Sequence, residues 1–206
     1  MSIQLLHEDN MTVMARYADK HFQLAIVDPP YGINAGNMTL GKGKRKKFKQ
    51  GKDWDKGIPT DEYFEELQRV SVNQIIWGGN YFDLPPTKSF LIWDKINDNR
   101  DFAECEYAWT SFDSVARVHR QRPQNMDGGK IHPTQKPVRL YKWILDKYAK
   151  QGDRILDTHL GSGSIAVACY DYGFDLTACE IDKDYYDAAV KRFNLVTSQT
   201  QLFAAS

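Results

Sequence analysis

The chain has 206 residues, 42% of them hydrophobic, enough for one α/β domain with a full core and too few for a second large domain. Lys plus Arg and Asp plus Glu each number 27, so the net charge singles out no class of partner. Cys105, Cys169 and Cys179 are odd in number and lack C-x-x-C spacing, which argues against a disulfide framework or a zinc site and for a reducing compartment. No apolar run approaches the ~18 residues of a membrane span, and MSIQLLHEDN lacks the features of a signal peptide. The expectation is a soluble cytoplasmic protein with no membrane segment and no metal.

Taken in chain order, Ile3–His7 and Phe22–Asp28 are the first strand candidates. The second contains the apolar run Leu24–Val27, which suits a parallel strand covered on both faces. It stops in DPPY. Pro29 and Pro30 cannot donate backbone hydrogen bonds, so the strand ends at Asp28 with a carboxylate, two prolyl carbonyls and the Tyr31 ring at a strand's carboxyl end. In open α/β sheets that edge binds ligands, and this corner suits a flat group carrying N–H donors. Next, Lys42–Lys56 carries eight Lys/Arg against Asp53 and Asp55. Such a run is commonly a solvated loop; beside a candidate site it also suits a phosphate-attracting arm.

Pro59 and Thr60 open a helix whose face is Tyr63, Phe64, Leu67 and Val70, with Asp61 and Glu62 in its first turn. Gln74–Gly78, Ser89–Asp94, Tyr107–Phe112 and Val115–Arg120 are strand candidates. The last three have no helix between them, which predicts an antiparallel edge. The basic stretch Ser114–Lys130 includes Arg117, Arg120 and Arg122. Pro137 opens a helix through Val138, Tyr141, Ile144, Leu145 and Tyr148. Arg154–Thr158 and Leu176–Glu180 are strands around a helix over Ser162–Tyr172 closed by Gly173, and a last helix starts at Asp182 or Lys183 and runs to about Leu195. Alternating strands and helices predict a mostly parallel sheet covered on both faces. The chain reads as one domain, 1–206, with a basic loop over 34–58 and a short basic segment over 114–131.

A second ligand-shaped corner lies in RILDTHLGSGSIAVACY. Gly161 and Gly163 permit positive φ and close approach of a ligand, and the helix start beyond them favours an anionic group. About twenty residues on, Glu180 closes the next strand, where an acid can accept hydrogen bonds from ribose hydroxyls. Neither G-x-G-x-x-G nor a P-loop is present, so a turn that merely packs a helix on a strand stays open as a reading. Asp157 and Glu180, closing two strands at one edge, favour a nucleoside ligand. His132 has no second ligand at metal spacing.

DPPY, IHPTQKP, LDTHLGSGS and ACEID, in that order, together with IIWGGNYFDLPP and SFLIWDK, resemble the S-adenosylmethionine-dependent DNA amino-methyltransferases with permuted (β-type) motif order, especially small phage-type and prophage-type members. The resemblance runs from about Ile3 to Phe193. It implies a Rossmann-like class I methyltransferase fold and transfer of a methyl group from S-adenosyl-L-methionine to the N6 amine of a flipped-out adenine in DNA, as in restriction-modification systems. N4 of cytosine, an RNA or protein-amide substrate, and an inactive DNA-binding relative are the alternatives.

The implied catalytic residues are Asp28, Pro29, Pro30 and Tyr31: Asp28 and the Pro29 carbonyl accept from the amine, and Tyr31 stacks on the base. The implied cofactor residues are Asp9, Thr134, Lys136, Asp157, His159, Gly161, Ser162, Gly163 and Glu180. The DNA-binding candidates are Lys44, Arg45, Lys46, Lys47, Arg117, Arg120 and Arg122. Asp157-Thr158-His159 departs from the family's usual Asp-Pro-Phe; a histidine there can still pack against the cofactor, or lie behind the site or partly exposed. By the resemblance, 114–131 is the candidate DNA-recognition segment; it is short, so site reading is short, relaxed or dependent on a homodimer.

Overall fold

The computed structural model describes residues 1–33, 57–97, 103–123, 132 and 134–204, with side chains to 198. Eight strands form one sheet: β1 (Ile3–Leu6), β2 (Phe22–Val27), β3 (Ser71–Trp77), β4 (Phe90–Asp94), β5 (Cys105–Thr110), β6 (Arg117–Arg120), β7 (Arg154–Asp157) and β8 (Asp175–Cys179). Their spatial order is β1-β8-β7-β2-β3-β5-β4-β6. The helices are α1 (Asn10–Met14), α2 (Asp61–Val70), α3 (Val138–Tyr148), α4 (Ser164–Tyr172) and α5 (Lys183–Ala204). No helix among the described residues is long and apolar enough to cross a membrane.

Central strands are apolar on both faces, as burial on both faces requires. Leu24 and Ile26 of β2 join Ile75, Trp77, Leu91 and Trp93 in a core closed by α3, α4 and α5. Ala25 and Val27 point the other way, into a core with Met14 of α1 and Tyr63, Phe64, Leu67 and Val70 of α2. Arg69 fastens α2 to the chain before β2 by donating to the carbonyls of Tyr17 and Met14.

All eight expected strands form, with ends shifted by a few residues. The antiparallel character is more confined than the sequence suggests: among the described strands only β5 runs antiparallel, pairing β3 and β4, while the edge strand β6 pairs parallel to β4. The last helix also continues past Leu195, to Ala204. Two short elements carry too few turns to leave a periodic signal. They are α1, capped by Asp9 through Thr12 N–H at 2.9 Å, and a 3-10 turn over Gly79–Tyr81.

The sheet's topological switch falls between β2 and β7, which pair parallel through Leu24–Ile155 and Ala25–Leu156. From β2 the chain proceeds outward to β3; from β7 it proceeds outward in the other direction to β8. The crevice beyond the strands' carboxyl ends at such a point is the general ligand site of open α/β sheets. Both sequence-predicted corners open onto it.

Candidate active site

Asp28 follows β2 and faces a cleft that it shares with Pro30, Thr134, Lys136, Gly161 and Glu180. Tyr31 Oη donates to Asp28 Oδ1 at 2.5 Å, and Lys136 Nζ lies 2.5 Å from Oδ2. Lys136 itself is only 1% exposed. Its ammonium also lies 3.1 Å from Glu106 Oε2, and Lys95 Nζ holds Glu106 Oε1 at 2.7 Å. Two carboxylates and two ammoniums thus alternate in a chain from the cleft floor into the sheet, Asp28–Lys136–Glu106–Lys95.

Burial sets the titration of this chain, and the partners resolve it. Desolvation raises the Asp28 pKa and Glu106 adds to the rise, outweighing the pull of Lys136, so the carboxyl ends above its ordinary range. For Glu106, desolvation is overcome by Lys136 and Lys95, and its pKa falls below the ordinary value. Lys136 resists desolvation through Asp28 and Glu106, and its pKa rises.

The Tyr31 ring has a built seat. Gly78 adopts φ +71°, and a Cβ there would lie 2.1 Å from Tyr31 Cε1. Tyr81 stacks on Tyr31 with centroids 5.0 Å apart and planes 10° apart, and Phe82 meets it edge-on. The Gly78–Tyr81 turn therefore serves Tyr31, and glycine is required where the ring crosses the backbone.

The second corner is built from backbone. Gly161 N donates to Glu180 Oε2 and Asp182 N to Oε1, both at 2.9 Å. Burial raises the Glu180 pKa against those two donations. Gly161 has φ +51°, and a Cβ on it would meet nothing nearer than 3.8 Å, so its cleft side is open. Gly163, at φ +70°, packs instead on Ala189 of α5. Ser162 O and Ser164 Oγ each accept from Arg192 Nη1 at 2.9 Å, tying the α4 start to α5.

Two further residues complete this side. Ile181 is 68% exposed directly after Glu180 and lines the cleft with Leu160 and Tyr185. An acid able to accept from a ribose, an open glycine and an apolar wall suit an adenosine-like ligand.

His159 is partly buried in the same cleft and hydrogen-bonded at both ring nitrogens, to Asn10 Nδ2 at 3.2 Å and Thr158 Oγ1 at 2.9 Å. Burial pushes its pKa down to about 4, so the ring is neutral at physiological pH. It meets Tyr63 edge-on, with centroids 5.5 Å apart, as an aromatic residue at this position would. Asp157 accepts from His159 N at 3.0 Å, and burial raises its pKa to about 8.

A family model described as DNA methylase (N6_N4_Mtase) matches residues 76–191, more than half of the chain. The chain belongs to this family. Among curated relatives, the type II methyltransferase M2.LlaDCHI of Lactococcus lactis subsp. cremoris is 23% identical, over 92% of this chain and 88% of its own length. M2.DpnII of Streptococcus pneumoniae is 24% identical, over 91% and 88%. Among solved structures, the M1.HpyAVI–SAM complex superposes with a TM-score of 0.61 at 20% identity, over 92% of this chain and 99% of that one. The cytosine-N4-specific PvuII DNA methyltransferase gives 0.62 at 12%, over 94% and 86%. At such identities these structures establish a shared class I methyltransferase fold.

Within this DNA methylase, Asp28, Pro30, Thr134, Lys136, His159, Gly161, Ser162 and Glu180 line one cleft. Asp157 is buried immediately beneath it. Asp9 lies at the same sheet edge, but its carboxylate caps α1 and is not among the cleft's lining groups. Arg117 and Arg120 are exposed on edge strand β6, with Arg120 paired to Asp94 at 3.1 Å, and Arg122 is exposed just beyond. Lys44, Arg45, Lys46 and Lys47 lie outside the described residues, as do all of 124–131.

Sequence reasoning missed Glu106, Lys95, Tyr81 and Ile181. Glu106 had a signal: it shares the inward face of β5 with Ala108 and Thr110, where a lone acid conflicts with the pattern. No group of His, Cys, Asp or Glu suited to a metal occurs among the described residues.

Proposed function

We propose that this DNA methylase transfers a methyl group from S-adenosylmethionine to the exocyclic N6 amine of adenine in DNA. The observation that carries the reading is the pairing of two unlike corners across one cleft. Asp28, an acceptor at the end of β2, faces the space bounded by Gly161 and Glu180 at the ends of β7 and β8. When bound, the cofactor would supply an electrophilic methyl group on sulfur: as the nitrogen–carbon bond forms, the carbon–sulfur bond breaks to leave a neutral thioether, and the amine's surplus proton passes to solvent. Glu180 would hold its ribose, Gly161 would admit its backbone-hugging portion, and Ile181 would cover its base.

The chain's own work is placement. Asp28 and the Pro29 carbonyl accept the two N–H groups of the target amine, holding its nitrogen toward the methyl group. Tyr31, seated on Gly78 and Tyr81, offers an aromatic surface to an extruded base. The acid at Asp28 favours adenine over cytosine. Arg117, Arg120 and Arg122, with the basic run Lys44–Lys47, are the proposed contacts to the phosphate backbone.

The test is nucleoside mass spectrometry of unmethylated genomic DNA after incubation with the protein and S-adenosylmethionine. N6-methyladenine is expected. N4-methylcytosine would overturn the choice of base, and methyl groups found only in an RNA control would overturn the substrate class.

A further inference from the structure

The acceptor that the reaction needs is already engaged. Tyr31 Oη holds one oxygen of Asp28 and Lys136 Nζ the other, each at 2.5 Å. A neutral amine is a weaker donor than a buried ammonium, so it gains Asp28 Oδ2 only if Lys136 has another anionic partner. Water cannot serve, because Lys136 is 1% exposed, and Tyr31 Oη, which accepts from Lys136 Nζ at 3.3 Å, is neutral and cannot offset the ammonium. Glu106 can. Its Oε2 stands 3.1 Å from the same ammonium, shielded from solvent and without an aligned hydrogen bond. Its Oε1 is pinned by Lys95. Glu106 and Lys95 sit on the paired strands β5 and β4 or directly beyond them, with Trp93 opposite Glu106 and Lys95 N bonded to Glu104 O at 2.8 Å. The second seat for the ammonium is therefore rigid.

We propose that Glu106 is a positioning residue for methyl transfer: it shares Lys136 with Asp28 and takes over the ammonium as the target amine takes Asp28 Oδ2. The inference rests on the reading of Asp28 as the amine's acceptor. No proton changes owner in the exchange. Lys136 stays charged in both positions, and the four-group chain keeps a net charge of zero.

The test compares Glu106→Gln with Lys136→Met in single-turnover methyl transfer to DNA across pH, with cofactor affinity as the check on folding. Asp28 is faced by Lys136, Glu106 and Tyr31, and at longer range by Tyr141 of α3 and Asp157 of β7. Glu106→Gln is expected to slow transfer by about 100-fold with cofactor affinity unchanged. It also moves the acidic limb to lower pH, because the Glu106 charge helps Asp28 keep its proton. Lys136→Met moves that limb to higher pH. The limb reports the Glu106 charge alone; the exchange itself is read in the plateau rate and in the double variant, since a structural role independent of Lys136 would add to the loss in Lys136→Met.

The double variant is expected to be no slower than Lys136→Met alone, and that comparison decides the matter should Glu106→Gln fail to fold. A wild-type rate and limb in Glu106→Gln, or a double variant slower than Lys136→Met by a further 100-fold or so, would overturn the inference. Asp28→Ala separates the two levels. If it keeps the wild-type rate, the reading of Asp28 fails; if it is inactive while Glu106→Gln is normal, only the role of Glu106 fails.

Discussion

At the ends of β7 and β8 the site is held by main chain: Gly161 and Asp182 N–H groups grip Glu180, and His159 N grips Asp157. One strand away, at the end of β2, Asp28 is held by side chains: its near neighbour Tyr31 and, from distant segments, Lys136 before α3 and, through it, Glu106 of β5 and Lys95 after β4. Under the proposed function the difference matches two tasks. A cofactor corner has to be the same shape in every turnover, and backbone donors in tight turns provide that. An acceptor for a weakly basic amine has to stay ionised in a buried place and yet release its partner, which calls for a mobile charge with two seats.

Four substitutions probe this contrast. Asp28→Ala should lower single-turnover transfer by about 1,000-fold or more while cofactor affinity, read by calorimetry, stays near wild type; a near-wild-type rate would remove Asp28 from the chemistry. Gly78→Ala places a Cβ 2.1 Å from Tyr31 Cε1 at φ +71°. It should cost about 1–3 kcal/mol of stability in urea unfolding and slow transfer by roughly tenfold or more through a displaced Tyr31. Unchanged stability and rate would mean the ring has another resting place.

Glu180→Ala should act on the other corner. It is expected to weaken cofactor binding by about tenfold, roughly 1.4 kcal/mol, and to leave the rate at saturating cofactor nearly intact. Equal losses in both quantities would show that the corners are not separable. The smallest effect concerns His159, whose folded pKa lies near 4 because burial disfavours its charged form. The unfolded chain takes up this proton near 6.5, so the folded state loses stability as pH falls from 6.5 toward 4. His159→Phe lacks that loss. The wild type's stability relative to the variant should therefore fall between pH 7 and pH 4.5 in urea midpoints, and a constant difference would contradict a buried neutral ring.

The same contrast explains what the sequence disclosed. Features built from neighbours in the chain were legible: a strand stopped by Pro29 and Pro30, glycines at a strand–helix turn, an acid closing β8. Features built across the sheet were not. Lys136 reads locally as part of a loop entering α3, and nothing near it names Glu106, 30 residues earlier in the chain. The position of β5 between β3 and β4 was equally hidden, because a run of strands without helices does not say which of them turns back. His159 reads as a departure from the family pattern, and only its two hydrogen bonds show how the ring is kept in place.

The division of labour between the two corners is tested most directly by a crystal structure with S-adenosylmethionine bound. The prediction is a ribose held by Glu180 beside Gly161, with the methyl-bearing sulfur turned toward Asp28. A cofactor seated away from Glu180, or one whose methyl group faces away from Asp28, would contradict it.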